Sequence, residues 1–432
     1  MNKEILRLSI PSILANITVP LVGIVDVAIA GHVSDAAAIG GIAIGGMLFS
    51  LLYWNFGFLR VGTGGMTAQA YGRGDRQGMM DIFTQGMSLV LAATLLVWLI
   101  AWPFLEVVMM LVPCSQEVET FARQYFFIRI WAAPAVFALM CFKGWFIGMQ
   151  NTVWPMVCDI VVNVVNMGVS YYFAVHTDMG AIGVAYGTVV AQYTGLLVAV
   201  VLFVLKYKNL LLYINIRNSI KFEKLKEMLK LNGNLMLRSL GFMVVYVGCT
   251  SMASSYGDAL LAVSSILMNL FMVFSYFIDG FAYAGEALVG RFIGEQNRKK
   301  VDAAVRLLFM WSMGIGLVFT IVYWLWGEET VRMITSDETV IHDSLPYLLW
   351  LVLMPIVSCA AFIWDGIFIG ATAGRQVRDC MLWAALGFVV AYVCTYKFCG
   401  FHAIYIAYFT HLVVRSGYLT AVWNRLIAKK IV

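Results

Sequence analysis

The chain has 432 residues, of which 62% are hydrophobic and 12% charged, and its formal net charge is +5. Soluble domains carry about 25% charged residues, and a soluble core of this size would leave too few polar residues to coat it. The composition therefore excludes an ordinary water-soluble protein and requires lipid as the solvent, and the modest positive charge calls for no nucleic acid.

Crossing a hydrocarbon layer of about 30 Å takes roughly 20 helical residues. Apolar runs of that length, separated by charge clusters, predict spans over 8–30, 39–61, 83–101, 125–147, 157–175 and 181–205 in the first half. In the second half they predict 235–253, 261–289, 304–326, 345–369, 381–396 and 403–427. The first run is too long for a signal-peptide core and carries Asp26, so it is expected to be a retained span. One long connection stands between the halves. It is basic and partly amphipathic around Phe222, Leu225, Met228 and Leu229, which predicts a cytoplasmic linker resting on anionic lipid. The resulting division is an N-lobe over 1–205, a linker over 206–234 and a C-lobe over 235–432.

The two halves echo one another. Gly57-Phe58 returns as Gly280-Phe281, Gly72 as Gly294, and Gly144-Trp145-Phe146-Ile147-Gly148 as Gly366-Ile367-Phe368-Ile369-Gly370, an offset of about 222. Duplicated halves in so apolar a chain are a common plan of secondary transporters. Six spans per half is an even number, so both copies insert in the same orientation and the pseudo-twofold axis runs along the membrane normal. With the N-terminus in the cytoplasm, 21 of the 29 Lys and Arg fall inside, three outside and five within spans, which fits the positive-inside rule with both termini cytoplasmic. The expected fold is an all-α integral membrane protein of twelve transmembrane helices, arranged as two pseudo-twofold-related six-helix bundles around a central cleft. A monomer in the inner membrane is expected.

No constellation of enzyme chemistry emerges. Eight cysteines are scattered without a CxxC pair, and the glycine-rich run 40–46 lacks the Lys-Ser/Thr of a phosphate loop. Neither an enzyme nor a cofactor is expected. Attention falls instead on ionisable groups where charge is costly. A carboxylate near the bilayer centre costs about 2.5 to 3.5 kcal/mol on insertion scales and persists mainly where it faces a cavity or a partner. Asp26, Asp279, Glu286 and Asp365 qualify, with Asp159 near the inner end of its span. Asp26 stands out because Pro20 nearby frees a backbone carbonyl, and because desolvation favours its protonated form while an arriving cation favours the ionised one. One group thus holds a proton or a cation in turn. Asp279 and Glu286 are seven residues apart, on one helix face, and suit either a polar stripe or partners for Arg60 or Arg238. Lys143 and Asp365 differ by 222, so the duplication gives them equivalent depths in opposite lobes. Such opposite charges are expected to form part of an inner gate, the alternative being that Lys143 snorkels to the headgroups and Asp365 caps a neighbour.

At these residues the chain resembles the multidrug and toxic compound extrusion (MATE) family, in its DNA-damage-inducible F-like branch. The resemblance is carried by Pro11 through Val25-Asp26 to Gly31-His32, by Gly57 to Gly72 with Thr67-Ala68-Gln69-Ala70, by Asp279-Gly280-Phe281-Ala282-Tyr283 to Glu286-Ala287-Leu288-Val289-Gly290, and by Asp365-Gly366 to Gly370-Ala371-Thr372. It implies efflux of organic cations or amphiphilic toxins by antiport against H+ or Na+. It also implies a site in the first lobe at Asp26, Asn166, Ser170 and Thr188, with Asn163 one turn before Asn166, and Na+ as a possible occupant at Asp26, Asn166 and Thr188. Ser170 stands where the branch has a second acid. A flippase for lipid-linked saccharides shares the general fold and is the rival expectation; it would need several Arg or Lys to hold a diphosphate.

Overall fold

The structure is a computed structural model and describes residues 1–33, 36–112, 114–177, 179–180 and 182–431; the side chains of residues 19, 21, 22, 24, 26–28, 30–33 and 36 lie outside the described set. The first half forms α1 (Asn2–Val33), α2 (Ala36–Trp54), α3 (Phe58–Arg73), α4 (Arg76–Leu111), α5 (Gln116–Arg129), α6 (Ala133–Gly148), α7 (Val153–His176) and α8 (Ile182–Leu211). A short α9 (Ile216–Ser219) leads to the second half, which forms α10 (Phe222–Ser254), α11 (Asp258–Gly294), α12 (Arg298–Arg332), α13 (Glu338–Ser344), α14 (Leu348–Gly370), α15 (Gly374–Cys399) and α16 (His402–Lys430). Taken as bent spans, the pairs α2–α3, α5–α6 and α13–α14 leave six spans in each half, so the protein is an all-α, multi-pass membrane protein. Among the described residues 10 spans meet the length and apolarity of a membrane crossing; α1 and α16 complete the twelve, the apolar run of α16 being interrupted by His411 and Arg415. Large apolar side chains such as Leu99, Met110, Leu205 and Phe398 are exposed, as a lipid-facing surface requires.

Two compact units divide the chain, Leu14–Leu229 in one and Met1–Ile13 with Lys230–Val432 in the other. The boundaries differ from the lobes expected above at both ends, and the reason is local packing. In the second unit Ile5, Leu8 and Ser9 of α1 are buried, Trp311 donates to Asn2, and a Cβ on Gly280 would overlap Ile13. In the first unit Met228 of α10 is buried beside Gly86. The linker is correspondingly more ordered than its composition suggests. Most of 206–234 is helix, as the ends of α8 and α10 together with α9. Its anchor is Asp81 on α4, which accepts from Gln77 at 2.8 Å, Ser219 at 2.7 Å and Lys224 at 2.6 Å.

The duplication is repeated in a close helix contact and in the turns of the two units. In the first, a Cβ on Gly144 would strike the Arg60 carbonyl, and in the second a Cβ on Gly366 would strike that of Ala282; both pairs differ by 222. The turns that follow match as well. Gly74 (φ 69°) and Gln296 (φ 55°) adopt the left-handed conformation at equivalent places, and so do Gln150 (φ 60°) and Thr372 (φ 51°). Each of the first pair precedes a helix capped by a side-chain oxygen, Asp75 accepting from Gly78 N at 2.8 Å and Asn297 from Lys300 N at 3.0 Å, which satisfies an otherwise unpaired helical N–H.

Candidate functional site

On α7, Asn163, Asn166 and Ser170 recur at intervals of three and four and therefore share one face. Opposite them α8 presents Gly183, Gly187 and Thr188. A Cβ on Gly183 would lie 2.7 Å from the Phe173 carbonyl carbon, and one on Gly187 would overlap Ser170 Oγ, so the two backbones approach as only small residues permit. That closeness brings the polar groups into register. Asn166 Nδ2 donates to Thr188 Oγ1 at 3.0 Å, Thr188 Oγ1 donates to the Val184 carbonyl at 3.0 Å, and Ser170 Oγ reaches the same carbonyl at 3.5 Å. Asn163 Nδ2 donates to Thr18 Oγ1 on α1 at 2.7 Å. Asn166, Ser170 and Thr188 are all buried.

One oxygen in this cluster is left over. Among the described residues Asn166 Oδ1 is buried without a hydrogen-bond partner, which carries a penalty unless its lone pairs find a donor or a cation. A protonated carboxyl or a hard cation would do so, since amide and hydroxyl oxygens suit such cations. Asp26, expected to be the acid of the site, is on α1 about two turns beyond Thr18; its side chain lies outside the described residues. The structure thus brings Asn163, Asn166, Ser170 and Thr188 together. It adds Thr18, which sequence reasoning passed over although a lone threonine two turns before Asp26 in an apolar span was a usable signal.

Of the remaining expected residues, Lys143 and Asp365 have partners within their own units. Lys143 is bonded to Asp159 across α6 and α7. Asp365 on α14 receives Arg238 from α10, and Arg415 from α16 stands 3.6 Å away. Lys143 and Asp365, the expected inner gate, are therefore each engaged inside one unit. Arg238, offered as a partner for Asp279 or Glu286, takes Asp365 instead. Glu286 is buried on α11 and Asp279 is half-buried two turns earlier on the same helix.

Comparison with known proteins follows the same lines. The family model described as MatE matches residues 11–172 and 235–396, one copy in each half. DNA damage-inducible protein F of Escherichia coli (strain K12) is 33% identical, with 98% of this chain and 92% of the relative covered. A probable multidrug resistance protein NorM of Thermotoga maritima is 21% identical over 80% of this chain and 74% of its own length. Among solved structures, one described as the outward-facing conformation of a multidrug resistance MATE family transporter superposes with a TM-score of 0.87 at 18% identity, covering 99% of this chain and 96% of the other.

Proposed function

This chain belongs to the MatE family, and on that premise we propose that it is a secondary active antiporter exporting organic cations or amphiphilic toxic compounds in exchange for H+ or Na+. As in its family, it is a transporter and not an enzyme. The observation that carries the ion-coupled reading is the buried Asn166 Oδ1 beside Thr188, unpaired among the described residues, on the helix pair that also holds Ser170. A proton or Na+ shared among Asp26, Asn166 and Thr188, with Asn163 bonded to the Thr18 hydroxyl and Ser170 to the Val184 carbonyl, is released when cargo binds and reloaded after it leaves. Alternating access of the two units then couples the fluxes. Each charge entering down about 100 mV supplies roughly 2.3 kcal/mol, and each pH unit about 1.4 kcal/mol per proton. Such driving forces suffice to expel cargo uphill by one to a few orders of magnitude. The protein acts in the inner membrane as a monomer, with both termini cytoplasmic.

The test is efflux of a fluorescent organic cation from proteoliposomes under separately imposed proton and sodium gradients. Wild type is expected to respond to one gradient. Asp26→Asn should abolish that response, and Asn166→Leu should weaken it about tenfold or more, as loss of a bond to a charged or protonated partner implies. Undiminished coupled efflux by Asp26→Asn would remove the site assignment. A second reading, flipping of a lipid-linked saccharide, is favoured by one observation, that Arg238 and Arg415 share a single carboxylate. Gradient-independent movement of such a lipid between leaflets, with no cation efflux, would replace the first reading by the second.

A further inference from the structure

Arg415 on α16 is 3% exposed, yet its guanidinium, with five N–H donors, donates no hydrogen bond among the described residues. Its single ion contact is the 3.6 Å approach of Nη2 to Asp365 Oδ2. Arg238 bonds the same Oδ2 and leaves its own Nε buried without a partner among the described residues. Both guanidiniums lie over one ring, 4.9 and 4.7 Å from the Phe242 centroid. One turn before Arg415, His411 is buried, and its Nδ1 has no partner among the described residues.

Two cations, Arg415 buried and Arg238 with its side chain 14% exposed, thus share one carboxylate among the described residues, and one positive charge is left over. Burying a charge without its full set of bonds is strongly unfavourable, and stacking on Phe242 offsets only part of that. The arrangement is not a by-product of the duplicated scaffold. Subtracting 222 from Arg238, Asp365, His411 and Arg415 gives Asn16, Lys143, Val189 and Tyr193, none of which repeats the chemistry.

We propose that Arg415 and Arg238, with Phe242 as the floor, form an anion-binding site in the second unit for one singly charged group, a halide or a carboxylate. A single negative charge neutralises the surplus, and the weakly hydrated, planar guanidinium is the cation best suited to hold it away from water. The ligand is either a free anion or the carboxylate of a larger cargo. This goes beyond the antiport reading and does not rest on it, because binding is measured without any gradient.

The test uses the purified full chain in neutral detergent. Its thermal unfolding midpoint is followed as sodium chloride or sodium acetate is titrated, with ionic strength held by sodium sulfate, a strongly hydrated dianion that does not match a site for one negative charge. Wild type should show a saturable rise. Arg415→Gln and Arg238→Gln should need about tenfold more anion or more for the same rise, whereas Lys299→Gln, at an exposed lysine outside the cluster, should behave as wild type. Should the arginine variants fail to fold, bromide-soaked crystals of wild type decide, with an anomalous peak expected within bonding reach of Arg415. Displacement of bromide by acetate and by decanoate would identify a cargo carboxylate, and displacement by acetate alone a free anion. No saturable response in wild type, a response that Arg415→Gln retains in full, or no bromide at the cluster would overturn the proposal.

Discussion

At Gly144 and Gly366 one methyl group separates a packed helix pair from a collision with a backbone carbonyl, because α3 against α6 and α11 against α14 meet almost without side chains between them. Gly366→Ala must push α14 away from Ala282, an overpacking that costs about 1 to 3 kcal/mol. A lower unfolding temperature in detergent should report it. Gly314→Ala, where nothing lies within 4 Å of the added carbon, should leave that temperature unchanged or raise it slightly, since alanine is the better helix former. Equal behaviour of the two variants would show that the close approach does not limit stability. At this scale the sequence was partly legible. The echo of Gly144 in Gly366 is visible in the letters, and so are the buried acids, because charge in an apolar run is conspicuous. What the letters do not disclose is partnership. Arg238 had three acids to choose from, and only the placement of α10 beside α14 selects Asp365.

At the scale of the element, the connection between the halves shows where pattern and packing part company. Amphipathic periodicity marks Phe222, Leu225, Met228 and Leu229 as one apolar set, yet Phe222 is 72% exposed while Met228 is fully buried. Periodicity identifies a helix face, but the neighbour decides which part of it is covered. That neighbour is α4, and Asp81 is the fixing point. Replacing Asp81 by Asn removes a buried charge that three donors address, whereas Lys224→Ala removes an ion pair whose lysine is 41% exposed and so is worth at most about 1 kcal/mol. Asp81→Asn should therefore raise the rate of protease cleavage between 206 and 222 severalfold, and Lys224→Ala only slightly. If the two variants are cut at the same rate, the Asp81 cluster does not hold the connection in place. The α7–α8 pair was more legible, since Asn166, Ser170 and Thr188 interrupt apolar runs at helical spacing. Thr18 was missed because one hydroxyl in a span is ordinarily satisfied by its own backbone, as Thr18 also is through Ala15.

At the scale of the whole molecule, the twelve-span count and the duplication follow from hydropathy and an offset of 222, and the turns confirm the offset more sharply than the helices do. Left-handed residues and caps recur in step at Gly74 and Gln296 and at Asp75 and Asn297. The unit boundaries were not legible. Hydropathy assigns all of α1 to the first half, but the packing of Ile5, Leu8 and Ser9 assigns residues 1–13 to the second unit. Removing residues 2–9 is accordingly expected to loosen the second unit first. Hydrogen exchange should rise in α11 around Gly280 and in α12 around Trp311 before it rises in α7 or α8. Uniform loosening, or loosening confined to the first unit, would contradict that assignment.

The exchanged segments reach further than stability. Each half of this polypeptide begins with a strip that is finished only by the other half's contribution: residues 1–13 are counted with the later spans, and residues 222–229 with the earlier ones. A ribosome that has made only the first six spans has therefore produced an incomplete object, whose missing piece arrives with the start of the seventh. Severed within 212–215, the two fragments would each lack something only their counterpart carries, and this gives them a thermodynamic reason to find one another again in the bilayer.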